Sequence, residues 1–173
     1  KALVDQKIPL GMDNLGNVIH WDLNNHATAH MLVCGATGSG KSVLLQCTIE
    51  YAKRGLVNRI IILDTKSDFE ELNIKGVEIY NTIEDIEIVM RLLVEEMQNP
   101  SNKTTNKTLI VFDEFADAQA QSAKGKALEV YETQEVGNYA NGKAKLGNVL
   151  VNKLKPLEEN LRLLLQKGRS YGF

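Results

Sequence analysis

Residues 35–42 read Gly35-Ala36-Thr37-Gly38-Ser39-Gly40-Lys41-Ser42, directly after the apolar run Met31-Leu32-Val33-Cys34 and directly before the helix-like stretch Val43–Lys53. A strand, a glycine-rich turn and a helix N-terminus in that order form an anion cradle: the turn amides point inward and the first helical N–H groups have no intrahelical partners. Every specified position of the phosphate-loop pattern is filled. The amides from Gly35 through Ala36, Thr37, Gly38, Ser39, Gly40, Lys41 and Ser42 to Val43 are the expected phosphate contacts. Lys41 is expected to reach the β and γ oxygens and the Ser42 hydroxyl to bind Mg2+. A chance glycine turn is the competing reading, and the change from buried strand to helix across the turn argues against it. Phosphate binding alone does not say which kind of nucleotide hydrolase this is.

Downstream, Arg59-Ile60-Ile61-Ile62-Leu63 is a nearly unbroken apolar run, as expected of a parallel strand covered on both faces, and it ends in Asp64-Thr65-Lys66-Ser67-Asp68. Binding groups of open α/β sheets gather at that carboxyl edge, so Asp64 and Lys66 are candidates for the nucleotide site; a solvated loop holding an ordinary ion pair is the alternative. Gly76–Tyr80 reads as a short strand. Thr82 is placed to cap the next helix with Asp85 three residues on, and Ile83, Ile86, Val89, Met90 and Leu93 recur at helical spacing as a core stripe. A polar break follows from Asn99 to Asn106.

Thr108-Leu109-Ile110-Val111-Phe112 is the next buried strand and stops at Asp113-Glu114. Downstream of a phosphate loop, two acids at a strand end have a definite chemistry. Asp113 is expected to accept a hydrogen bond from magnesium-bound water, and Glu114 to orient or deprotonate the water that attacks the γ-phosphate. The Arg59–Leu63 strand intervenes between the phosphate-loop strand and the acid-bearing strand, leaving room for another strand between those two in the sheet. That order is the one found in hydrolases carrying a catalytic Glu, an analogy of topology.

Composition bounds the rest. The 173 residues are 43% hydrophobic and 24% charged with a formal net charge of -2, enough for one packed domain and too acidic for a surface coated in positive charge. Cys34 and Cys47 lack metal spacing and are expected to be small buried residues. His26 and His30 have no third ligand in reach. No apolar run attains transmembrane length and the first residues do not open a leader peptide, so a cytoplasmic location is expected, with any membrane association carried by a region outside this stretch. Ile8–Leu23 has hairpin character around Asn14-Leu15-Gly16-Asn17. Residues 1–30 thus read as a hairpin and link packed on a core spanning 31–173.

Beyond Phe115 the pattern weakens. Residues 116–136 accommodate one or two helices, and 135–148, with Gly137, Asn141-Gly142 and Gly147, read as a flexible or hairpin-like excursion. Six lysines and three glutamates between Ala123 and Lys155 give a positive bias that either faces DNA or is a solvated surface. Leu150, Leu154, Leu157, Leu161, Leu164 and Leu165 predict an apolar helical face over Val149–Lys167, with Pro156 starting the strong helix or kinking a longer one. Arg169 lies near that helix end, placed by pattern to reach a neighbouring subunit.

From Ile8 to Phe173 the chain resembles the motor domain of the FtsK-type DNA translocases, within the wider group of HerA-like ATPases and conjugative coupling proteins. The resemblance is carried by Ile8-Pro9-Leu10-Gly11, by His30-Met31-Leu32-Val33-Cys34 with the phosphate loop, by Asp64-Thr65-Lys66, by Val111-Phe112-Asp113-Glu114-Phe115-Ala116-Asp117, and by Leu165-Gln166-Lys167-Gly168-Arg169-Ser170-Tyr171-Gly172-Phe173. It implies an α/β fold of the RecA-like P-loop NTPase type, ATP and Mg2+ as ligands, and a ring, usually of six copies, that moves double-stranded DNA. It implies Glu114, Lys41 and Arg169 as catalytic groups, Arg169 acting on the next subunit's γ-phosphate, with Ser42 and Asp113 at the metal and Lys66 close to the nucleotide. It also implies a further central strand after Phe173, with an Ala-Thr-Gln-Arg-Pro-like segment, so the sequence reads as a core truncated on its C-terminal side. The long insertion across Gln119–Lys155 departs from the family pattern and is familiar in coupling, mobile-element and phage versions of the motor. The expected function is ATP-driven translocation of double-stranded DNA. The alternative is a conjugative coupling ATPase passing DNA to secretion machinery, and a nucleotide-binding structural module is a third reading.

Overall fold

The structure is a computed structural model and describes residues 7–69, 76–99, 107–122, 128–154 and 157–172. Its centre is strand β3 (Arg59–Asp64), flanked in parallel by β4 (Glu78–Tyr80) on one side and β5 (Thr108–Asp113) on the other. Here we number β1 (Lys7–Met12), β2 (Val18–Asp22) and α1 (Lys41–Ala52) before β3, and α2 (Ile83–Gln98) between β4 and β5. After β5 come α3 (Phe115–Gln121), β6 (Leu128–Asn138), β7 (Ala144–Leu154) and α4 (Leu157–Lys167).

The apolar run of β3 serves two cores because successive side chains of a strand point to opposite faces. Ile61 and Leu63 are fully buried among Ile86, Met90 and Leu93 of α2 with Leu157 and Leu164 of α4. Ile60 and Ile62 face Ile49 and Ala52 of α1, Leu56, Phe69, and Ile8 from β1. A sheet with helices on both faces follows, the arrangement that all-parallel strands require. The α2 cap behaves as its sequence predicts: Thr82 Oγ1 accepts the Asp85 amide at 3.2 Å and donates to Asp85 Oδ2 at 2.7 Å. The N-terminal strands pair antiparallel as a hairpin, with Ile8 opposite Trp21.

Four expectations change. Met31–Cys34 has the composition of a strand but joins no sheet among the described residues; β5 pairs with β3 on one edge, and on the other the Thr108 amide donates to Gly172 O at 2.7 Å. A cavity of about 760 Å³ separates the two, with Met31, Leu32 and Val33 on one side, Thr108–Asp113 on another, and Leu161, Leu164 and Leu165 of α4 below. A strand acquires its hydrogen bonds from neighbours, so a segment facing a gap has no ladder to join. The room anticipated between these segments is therefore present as a gap, tied across by a hydrogen bond between His30 Nε2 and Leu165 O at 3.0 Å.

Both cysteines are exposed, Cys34 on that unpaired segment and Cys47 on the outer side of α1. The buried positions of α1 are Thr48, Ile49 and Ala52, while Val43 in its first turn is 60% exposed. The helix expected from Val149 begins only at Leu157, because Leu150 and Leu154 belong to β7 and pair with Tyr131 and Leu128 of β6. Finally, helix after Phe115 stops at Gln121, and the region beyond Leu128 is strand. Pro156 lies outside the described residues.

Candidate functional site

The glycine-rich turn is exposed throughout, and its form is set by backbone alone. Gly40 has φ 91°, a left-handed conformation costly for other residues, and it caps α1, accepting the Leu44 amide at 2.9 Å. At Gly35 the constraint is space: a Cβ there would run into the Ser39 side chain. Lys41 folds back on the turn, donating to Gly35 O at 2.9 Å and Ala36 O at 3.3 Å. Its ammonium thus sits on neutral carbonyls at the mouth of the cradle, partners that phosphate oxygens outcompete because their hydrogen bonds are charge-assisted.

The carboxyl edge of β3 and β5 is built oppositely, from side-chain locks. Asp64 and Asp113 are register partners across the two strands. Asp64, fully buried, accepts the amides of Lys66 at 3.0 Å and Phe69 at 2.9 Å, so its carboxylate holds the turn that follows β3. Asp113 is nearly buried and accepts the Glu114 amide at 3.0 Å. Burial pushes its carboxyl above the usual range, partly offset by that amide and reinforced by the charges of Asp64, Glu114 and Asp68.

Among the described residues, the non-glycine positions with positive φ are Ser67 (62°) and Glu114 (52°), one in each of the two turns at this edge. Such conformations cost about 1–3 kcal/mol each and persist where surroundings over-determine them. Here the surroundings are cross-links between the turns. Lys66 Nζ lies 2.7 Å from Glu114 Oε1, and Thr65 Oγ1 donates to Asp117 Oδ2 at 3.0 Å. The Glu114 carboxylate holds the Lys66 ammonium above its ordinary lysine value. Phe112 and Phe115 meet edge-to-face at 5.2 Å, pinning the strand-to-helix corner on either side of the acids.

Lys41, Asp113, Glu114 and Arg169 all line the cavity between residues 31–33 and β5. One group from the phosphate loop, the two acids after β5 and one group beyond the last helix thus share a hollow although they come from distant parts of the chain; Gly35–Gly40, Ser42 and Val43 are not among its lining residues. Arg169 is exposed, in the 3-10 turn Gly168–Tyr171 after α4. Asp64 and Lys66 stand instead at the adjoining edge, where Lys66 contacts Glu114. Sequence reading missed Thr65 and Asp117 as a cross-link, and His30 as cavity wall; Trp21 also lines the cavity, and its Nε1 donates to Thr28 O at 2.6 Å. The Thr65–Asp117 and Lys66–Glu114 contacts join separate strands, and local pattern carries no signal for them.

Among the described residues no three His, Cys, Asp or Glu side chains are grouped to hold a metal ion. The donor set still suits Mg2+ at a nucleotide site, where one or two protein oxygens and the substrate phosphates share the ion. A hydroxyl at the first turn of α1 and a buried carboxylate surrounded by other negative charges are oxygen donors of that kind. No helix among the described residues is long and apolar enough to cross a membrane.

Among solved structures, the fold is similar to the monomer form of the pCW3 conjugation coupling protein TcpA with ATPγS, at a TM-score of 0.63 and 21% identity over 98% of this chain. This chain spans about half of that one, 47% of its length. No curated protein matches the sequence. The signature of the FtsK/SpoIIIE family matches residues 4–164, nearly the whole sequence, and the chain belongs to that family of P-loop ATPases.

Proposed function

We propose that this chain is the ATP-hydrolysing part of a DNA motor of the conjugative-coupling type. The observation that carries the reading is the shared hollow lined by Lys41, Asp113, Glu114 and Arg169. In this reading the amides of 35–43 and Lys41 bind the triphosphate, and Glu114 orients the attacking water. Ser42 and Asp113 would hold Mg2+, which would supply positive charge to the phosphate oxygens. Arg169 stabilises charge developing on the γ-phosphoryl group of a neighbouring copy, so that turnover requires assembly into a ring. Similarity to a coupling protein along almost the full chain, and the insertion after α3, favour the coupling setting.

The second reading is a translocase specialised for double-stranded DNA. ATP turnover of the whole protein, measured across concentration with duplex and with single-stranded DNA, separates the two. Stimulation by single strands at least equal to that by duplex supports coupling, and stimulation by duplex alone supports the second reading. Turnover that ignores DNA and protein concentration would overturn both.

A further inference from the structure

The β6–β7 hairpin has no part in the nucleotide site. Each strand is 11 residues long, about 36 Å at roughly 3.3 Å per residue, and the turn is closed by Tyr139 N–H to Lys143 O and Gly142 N–H to Tyr139 O, both at 2.8 Å. The described side chains are exposed on both faces, among them Tyr131, Val136, Leu146 and Leu150; only Gly147 and Val149 are half-buried. A two-stranded ribbon is marginal in water, and among the described residues neither outer edge of this one joins a further strand. Between its two bulges the ladder runs unbroken, Tyr131–Glu135 against Leu150–Leu146.

The charges are sorted by strand. Strand β6 contributes Glu129, Glu132 and Glu135 and no base; β7 with the turn before it contributes Lys143, Lys145 and Lys153 and no acid. Two β6 edges brought together set glutamates against glutamates, and two β7 edges set lysines against lysines. A β6 edge against a β7 edge sets an acidic strand beside a basic one. That selection rejects a two-fold dimer and favours a head-to-tail contact, the kind that closes into rings. Copies related by rotation about an axis along the strands also keep β7 antiparallel to the next β6, so the hairpins would continue as one sheet, and closure would remove the free edges.

We propose that the hairpin is an assembly element, the outer edge of β6 in one copy pairing with the outer edge of β7 in the next. Duplex DNA is the poorer occupant: glutamates equal lysines in number across Leu128–Leu154, and the β6 carboxylates repel phosphate. The proposal is independent of nucleotide hydrolysis at the site above.

The test uses the full chain in sedimentation velocity over a concentration series at low salt. The double variant Glu132→Lys with Glu135→Lys has two basic edges, and Lys143→Glu with Lys145→Glu has two acidic ones. Each alone is expected to associate at least about tenfold more weakly than the native chain, and an equimolar mixture of the two to recover association. The neutral variant Glu132→Gln with Glu135→Gln, which keeps the side-chain shape, should lie between. A native chain that stays monomeric, variants that associate like the native chain, or loss that mixing does not restore each overturn the proposal. So does an unchanged assembly accompanied by weakened binding of a labelled duplex by Lys143→Glu with Lys145→Glu, which assigns the hairpin to DNA.

Discussion

The two halves of the proposed nucleotide site are made by opposite means. The turn before α1 is shaped by glycine backbone, lies open, and leaves Lys41 on its own carbonyls. The acid edge is fixed in advance: two left-handed residues, two buried aspartates and two cross-links between the turns after β3 and β5. In the proposed reading one half takes its final form from the phosphates. The other presents its carboxylates whether or not a ligand is there, which is what positioning water and metal requires. Substitutions in the two halves should accordingly fail differently.

The largest effects fall on the chemistry. Glu114→Gln should leave ATP binding nearly intact and lower turnover by about 10²–10⁴, the range for losing a positioned base; native turnover would remove Glu114 from that role. Lys41→Ala should instead weaken nucleotide binding itself, seen by titration with a fluorescent ATP analogue, because the open half depends on its ligand contacts.

Asp113→Asn sharpens the contrast, since it should cost function and add stability. A carboxyl held above its ordinary 3.8 by burial lowers stability as pH rises through the raised value, so the amide should remove that penalty at neutral pH. We expect Tm without magnesium to rise by roughly 2–4 °C, about 1 kcal/mol for a chain of this size, while magnesium-dependent turnover falls. A melting temperature that drops would show the buried charge to be stabilising.

Lys66→Ala probes the cross-link. Releasing Glu114 from an exposed pair worth up to ~1 kcal/mol should raise basal kcat by up to about fivefold with the affinity for ATP unchanged. A loss of affinity at constant kcat would place Lys66 on the nucleotide, as the sequence alone suggests. The smallest effect is away from the site. Arg59 grips Glu78 with two bonds, 2.6 and 2.8 Å, and holds its carboxyl below the ordinary 4.5. Arg59→Met should cost about 0.5–1 kcal/mol at neutral pH, a loss that fades as acid protonates Glu78 at the depressed value in the native chain.

The same contrast explains what could be read from sequence. The glycine spacing, the apolar run of β3, the Thr82 cap and the acids ending β5 are local patterns, and each is found where the sequence puts it. Met31–Cys34 was misleading because strand formation depends on a neighbour, and its neighbouring space is a gap. Leu150 and Leu154 continue the spacing of α4 by coincidence, and only pairing with β6 reveals them as strand. Exposed cysteines follow from the same causes: an unpaired segment and the outward side of α1. The locks on Glu114 join residues from different strands, a relation that no local window contains.

Amide hydrogen exchange with and without ATPγS and Mg2+ tests most directly whether the two halves form one site. Bound nucleotide should slow exchange in residues 35–43, where the turn becomes ordered, and also at residues 113–117, where the acids meet the ion and the γ-phosphate. Protection confined to the turn, with the strand end after Phe112 exchanging as before, would contradict the account.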